Sequence, residues 1–166
     1  MTAARQRATE SPSEAQLQST IATPIYRDTV GVIIGMQDDV DSTYSMRRFL
    51  EDMIPAYCQI LEEKYNGGRR WPTATRIVRG GINPVSRSAG EVTPLQSWVA
   101  TAVRGRLYGT VNGMKKRIPT YTLRDFLETA SNRHIAQLKQ QHPEHRWPPR
   151  EHLRRGRRAT PDIPME

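Results

Sequence analysis

Residues 93–113 read TPLQSWVATAVRGRLYGTVNG, and how this stretch folds decides the architecture. Thr93 is a suitable N-cap, Pro94 suits the first helical position, and Gln96 stands where a capping box places its third residue. Leu95, Trp98, Val99, Ala102, Val103, Leu107, Tyr108 and Val111 then fall nearly all round a helical wheel. The spacing predicts a single helix to about Val111, stopped at Asn112-Gly113 and central to the core.

Upstream, Met46, Phe49, Leu50, Met53, Ile54, Tyr57, Ile60 and Leu61 recur at steps of three and four, which predicts a helix over 42–65. Asp41 or Ser42 can cap it, Asn66-Gly67-Gly68 can end it, and Pro55 should kink it. Downstream, Thr122 and Asp125 form a second cap pair for a helix carrying Leu123, Phe126, Leu127 and Ala130, continued in a shifted phase by Ile135 and Leu138. Val30, Val32, Ile33 and Ile34 make 28–36 read as a short buried strand or extended segment. Gln37–Ser42 reads as an acidic turn. The arginine-, glycine- and proline-bearing stretch 69–90 reads as a long loop, with a candidate strand at Thr73–Val78. The expected fold is mainly α: a small helical bundle over 24–141, a flexible N-terminal arm over 1–23 and a basic Pro/Arg-rich tail over 142–166.

The 166 residues are 36% hydrophobic and 25% charged, with a mean hydropathy of −0.69. No run approaches the roughly 18 apolar residues of a membrane span, so no membrane partner is expected. The first 23 residues lack an apolar stretch of signal-peptide length, which argues against secretion by that route and for a cytoplasmic or nucleoprotein-particle location. Cys58, the sole cysteine, cannot form an internal disulfide, and its helical register marks it as a packed side chain.

The net charge of +8 is unevenly divided. Residues 1–66 hold ten acids and six bases, net −4, whereas 67–166 hold 19 bases and seven acids, net +12. The cations cluster as Arg69, Arg70, Arg76, Arg79 and Arg87; Arg104 and Arg106; Lys115, Lys116 and Arg117; and Arg146, Arg150, Arg154, Arg155, Arg157 and Arg158. Repeated cations, mostly arginine, are what phosphate binding requires. The tripeptide Arg-Trp-Pro occurs twice, at 70–72 and 146–148. Each sets an indole beside a cation, so Trp71 and Trp147 are candidates for stacking on bases; the alternative is that each pins its loop to the core.

Other constellations are weaker. Residues 122–141 allow a helix-turn-helix with its turn at Ser131-Asn132-Arg133, although one continuous helix fits equally well. Asp38, Asp39 and Asp41 suit a helix N-terminus better than a metal, and His142-x-x-His145 lacks the cysteines of a zinc site. Phosphate-binding glycine loops, dinucleotide fingerprints and nucleophile elbows are missing. The expectation is therefore a non-enzymatic nucleic-acid-binding protein without cofactor, metal or catalytic residues, contacting phosphates with little sequence readout and favouring RNA over DNA. The opposite charge of the two halves points further to a self-assembling coat or nucleocapsid-like packaging subunit, a homo-oligomer or filament. The alternatives are a dimeric DNA-binding regulator using 122–141, or an adaptor for an acidic protein surface.

Overall fold

The structure, a computed structural model, describes residues 13–79 and 90–154. Its elements run β1 (Glu14–Ala22), α1 (Thr23–Asp39), α2 (Met46–Tyr65), β2 (Val92–Ala100), α3 (Thr101–Arg117) and α4 (Leu123–Gln141). The two strands pair antiparallel in one ribbon, with Gln18 opposite Gln96 at its centre. The fold is mainly helical and mixed: four helices and a two-stranded antiparallel sheet among the described residues.

Residues 93–113 therefore form two elements, a strand and then a helix. In β2 the inward side chains Leu95 and Val99 are buried while Pro94, Gln96 and Trp98 are exposed, the two-residue period of a strand. The capping residues are diverted: the Thr93 hydroxyl shares a 2.8 Å hydrogen bond with that of Thr23, and pairing with β1 satisfies the backbone. Residues 14–22, expected within a flexible arm, are that partner strand. The expected strand at 28–36 is instead the middle of α1. Val30, Val32, Ile33 and Ile34 are all buried because α1 is covered on several sides, which removes the polar face that marks a surface helix. Residues 73–78 form no strand.

The helix over 46–65 forms as expected and passes through Pro55 unbroken; its cap is Ser45, which accepts from the Arg48 amide, and not Asp41 or Ser42. The Thr122–Asp125 capping box is present at α4. Helix α4 runs continuously through 131–133, with Ser131 buried, so the proposed helix-turn-helix does not exist: no glycine or other breaker interrupts the hydrogen-bond ladder there.

The order strand–helix–helix occurs twice, and the two copies share residues at a set of equivalent positions. Leu17-Gln18-Ser19 recurs as Leu95-Gln96-Ser97, Ala22-Thr23 as Ala100-Thr101, and Gly31, Gly35 and Met36 as Gly109, Gly113 and Met114. In the second helices Tyr44, Arg47, Phe49, Leu50 and Glu51 recur as Tyr121, Arg124, Phe126, Leu127 and Glu128.

Contacts recur as well. Glu51 accepts from the Ala100 amide (2.6 Å) and from Arg47 Nε (2.9 Å). Glu128 accepts from the Ala22 amide (2.7 Å) and from Arg124 Nε (2.6 Å). Each glutamate thus satisfies the backbone at the strand-to-helix junction of the other half. Phe49 meets His134 edge-on and Phe126 meets Tyr57 in the same way, with ring centroids 4.9 and 5.0 Å apart. Helix α2 packs chiefly on α3, and α4 on α1, so the halves are intertwined around one core that includes Leu17, Phe49, Val99 and Phe126.

Candidate nucleic-acid interface

The pleat of the ribbon sends Leu17, Ile21, Leu95 and Val99 inward and leaves Gln16, Gln18, Thr20, Pro94, Gln96 and Trp98 on the opposite face. Gln16 lies opposite Trp98, Gln18 opposite Gln96, and Thr20 opposite Pro94. All are exposed except the half-buried Gln16, whose Oε1 accepts a 2.9 Å hydrogen bond from Gln18 Nε2. Trp98 is 38% exposed, a large indole facing outward. These six positions carry no charge, and Glu14, next along the same face, borders them and pairs with Arg47. The six offer three amides, a hydroxyl, a pyrrolidine ring and an indole, held in fixed register by the ladder beneath them.

Two cations, Arg47 and Arg104, border this face. Arg47 bridges Glu14 at the start of β1 and Glu51, at 2.7 and 2.9 Å. Arg104 reaches the Gln16 carbonyl at 2.9 Å and lies over the Tyr108 ring. Arg48 lies over Tyr44 and pairs with Asp41 at 2.6 Å, and the hydrogen bonds that Thr43 donates to Asp41, with Arg48 beside it, lower that carboxyl to about 2.

The arginine-rich segments are placed otherwise. Trp71 and Trp147 lie across the glycines of the first helices: Trp71 over Gly113 with Pro72 over Gly109, Trp147 over Gly35 with Pro148 over Gly31. Each Trp-Pro segment is a strap running back along its helix, tied by Ala74 N to Gly105 O and by Arg150 N to Arg27 O, both 3.1 Å. Trp147 is 5% exposed, and its Nε1 donates to Asp39 at 2.7 Å. Its indole faces protein, with no room for a stacked base, and residues 142–154 are thus partly packed despite their tail-like composition. Trp71 is half-buried against the core.

Among the cations expected to meet a ligand, Arg106 is committed internally. It forms a two-point ion pair with the buried Glu62, 2.8 Å at the closer contact. Arg154 pairs with Asp38 in the same two-point manner, at 2.8 and 3.0 Å, and Lys115 donates to the Tyr121 carbonyl. Arg69, Arg70, Arg76, Arg79, Lys116, Arg117, Arg146 and Arg150 are exposed. Arg70, Arg76, Arg104 and Arg106 line a cavity of about 870 Å3 between the first strap and α3. Arg87, Arg155, Arg157 and Arg158 lie outside the described residues.

The remaining candidates resolve individually. Asp38, Asp39 and Asp41 each take a separate protein donor, and among the described residues no group of His, Cys, Asp and Glu could hold a metal ion. Burial pushes the Cys58 thiol up to about 11. No described helix is long and apolar enough to cross a membrane.

The ribbon residues escaped sequence reasoning because both strands were read as something else. One signal could have found them: Leu-Gln-Ser, twice, each followed by Ala-Thr, at the same 78-residue spacing as the Gly-x-x-x-Gly-Met pairs. Family models, curated proteins and solved structures contain no match to the chain.

Proposed function

We propose that the protein is a double-stranded-DNA-binding module of ribbon–helix–helix type, which lays the outer face of β1–β2 into the major groove. One observation carries this reading: an exposed, amide-rich ribbon face of six uncharged positions held rigid by a packed underside. The major groove, about 12 Å wide, admits a two-stranded ribbon, and its edges present the donor–acceptor pairs that glutamine amides match, adenine above all. Gln18 and Gln96 are the central reading groups, with Gln16, Thr20 and Trp98 beside them. Arg47, Arg48, Arg104 and the exposed arginines of the straps supply phosphate contacts on the flanks.

The nucleic-acid partner expected from the charge is kept, while duplex DNA replaces RNA and base contacts join the phosphate contacts. The chain acts as a binding module without chemistry of its own. The packaging reading has less support, because the charge split that motivated it is partly answered within the chain by Arg106–Glu62 and Arg154–Asp38.

The test is a titration of single- and double-stranded oligonucleotides across salt concentrations, with wild type and Gln18→Ala/Gln96→Ala. Duplex should bind tighter than single strand, and affinity should fall as salt rises because releasing phosphate counterions then gains less. The double variant should lose about 1–3 kcal/mol per amide on a preferred sequence and little on random duplex. Equal affinity for single strands, unchanged in the variant, would remove the ribbon reading.

A further inference from the structure

We propose that the site this ribbon reads is non-palindromic and is bound in one orientation by one chain. The proposal rests on the ribbon being the DNA-reading face. Both strands come from the same polypeptide, so a complete ribbon needs no second copy. The pseudo-two-fold axis passes between Gln18 and Gln96, which are equivalent in the repeat and opposite each other in the ladder. On either side of that axis the symmetry fails. Gln16 of the first half corresponds to Pro94 of the second, and Thr20 to Trp98. Antiparallel pairing then brings Gln16 and Trp98 together at one end and Thr20 and Pro94 at the other.

The two ends therefore offer different chemistry to the base edges. The Gln16–Trp98 end presents an amide, linked to that of Gln18 by a hydrogen bond, beside an indole suited to a thymine methyl. The Thr20–Pro94 end presents one hydroxyl and apolar carbon, with no amide. A duplex with two-fold symmetry would give both ends the same base pairs, and one end would be mismatched. The preferred site has a common centre read by the paired glutamines and two unlike arms.

The pairing of unlike halves is itself enforced inside the fold. Glu62 of α2 is buried against Arg106 of α3 across the two halves. The repeat places Asp28 where Arg106 stands and Lys139 where Glu62 stands. Pairing two first halves would oppose Glu62 to an aspartate, and pairing two second halves would oppose Arg106 to a lysine. Each sets like charges together, the first against the buried Glu62 and the second at the exposed Lys139 position, and the unlike pairing avoids both.

The experiment is selection from a random duplex library with the full chain, compared with Pro94→Gln/Trp98→Thr, which gives both strands the same outward triplet. Wild type should return a motif without dyad symmetry, and changing a single base pair in its Gln16–Trp98 arm should weaken binding roughly tenfold. The double variant should return a two-fold symmetric motif. A palindromic wild-type motif would overturn this proposal and leave the ribbon reading intact. A library with no enrichment would overturn both. Because the wild-type selection stands alone, a variant that fails to fold does not rescue the idea.

Discussion

Four glycines carry the straps. A Cβ on Gly35 would overlap the Trp147 indole, one on Gly113 the Trp71 indole, and those on Gly31 and Gly109 the backbones of Pro148 and Pro72. The helices tolerate glycine here because nothing larger admits the strap, despite a helix-propensity loss of about 1 kcal/mol each. Gly35→Ala and Gly113→Ala are expected to lower stability by about 3 kcal/mol in urea unfolding, against the usual gain from replacing a helical glycine. Gly67, at a φ of 62° with open space around it, should lose only about 1 kcal/mol on the same change. His134 makes a prediction of its own. Burial against Phe49 lowers its pKa from the ordinary 6.5, the Asp52 charge opposing in part, and its Nε2 is buried without a partner. The unfolded chain then binds the proton more readily than the folded one, so stability is full above pH 6.5 and falls as pH drops below it. His134→Gln should flatten that acid-side slope in stability measured from pH 7 to pH 5.

Helix α2 buries its apolar stripe and, near its C-terminal end, sets the buried Glu62 against Arg106 of α3. Removing one partner strands the other at a buried position. Arg106→Met should therefore cost about 3 kcal/mol in thermal or urea unfolding, and adding Glu62→Leu should restore most of it. The expectation fails if the single and double variants are equally destabilised. Helices α2 and α4 were legible in the sequence because each keeps one solvated face and a cap of its own, Ser45 or Thr122. Helix α1 was not, since its β-branched run is covered on several sides and loses the helical period. Strand β2 was not either: Thr93-Pro94-Leu95-Gln96 carries a genuine helix-start pattern, which pairing with a strand 78 residues away overrides. The same tertiary override hid the ribbon face. By contrast, the twin Arg-Trp-Pro segments were visible as a repeat, and what they lacked was the knowledge that glycine-lined helices receive them.

Across the whole molecule, α2 rests on α3 and α4 on α1, so neither half has a complete core. Unfolding should be a single cooperative transition, with backbone circular dichroism and tryptophan fluorescence superimposable through the urea curve. Two separate steps would mean that the halves fold independently. Part of the charge division is answered inside the fold on this scale: Glu62 and Asp38, from the acid-rich residues before Gly67, pair with Arg106 and Arg154 from the basic stretch after it. Antiparallel pairing between β1 and β2 also sets a schedule for synthesis. At about 5–20 residues per second, roughly 4–16 s pass between the emergence of the first strand from the ribosome and that of its mate. Through that interval residues 14–22 lack the partner that makes them a strand, and Leu17 and Ile21 lack the core that buries them. This is a window in which a chaperone, or a neighbouring chain on the same messenger, competes for the place that β2 will occupy.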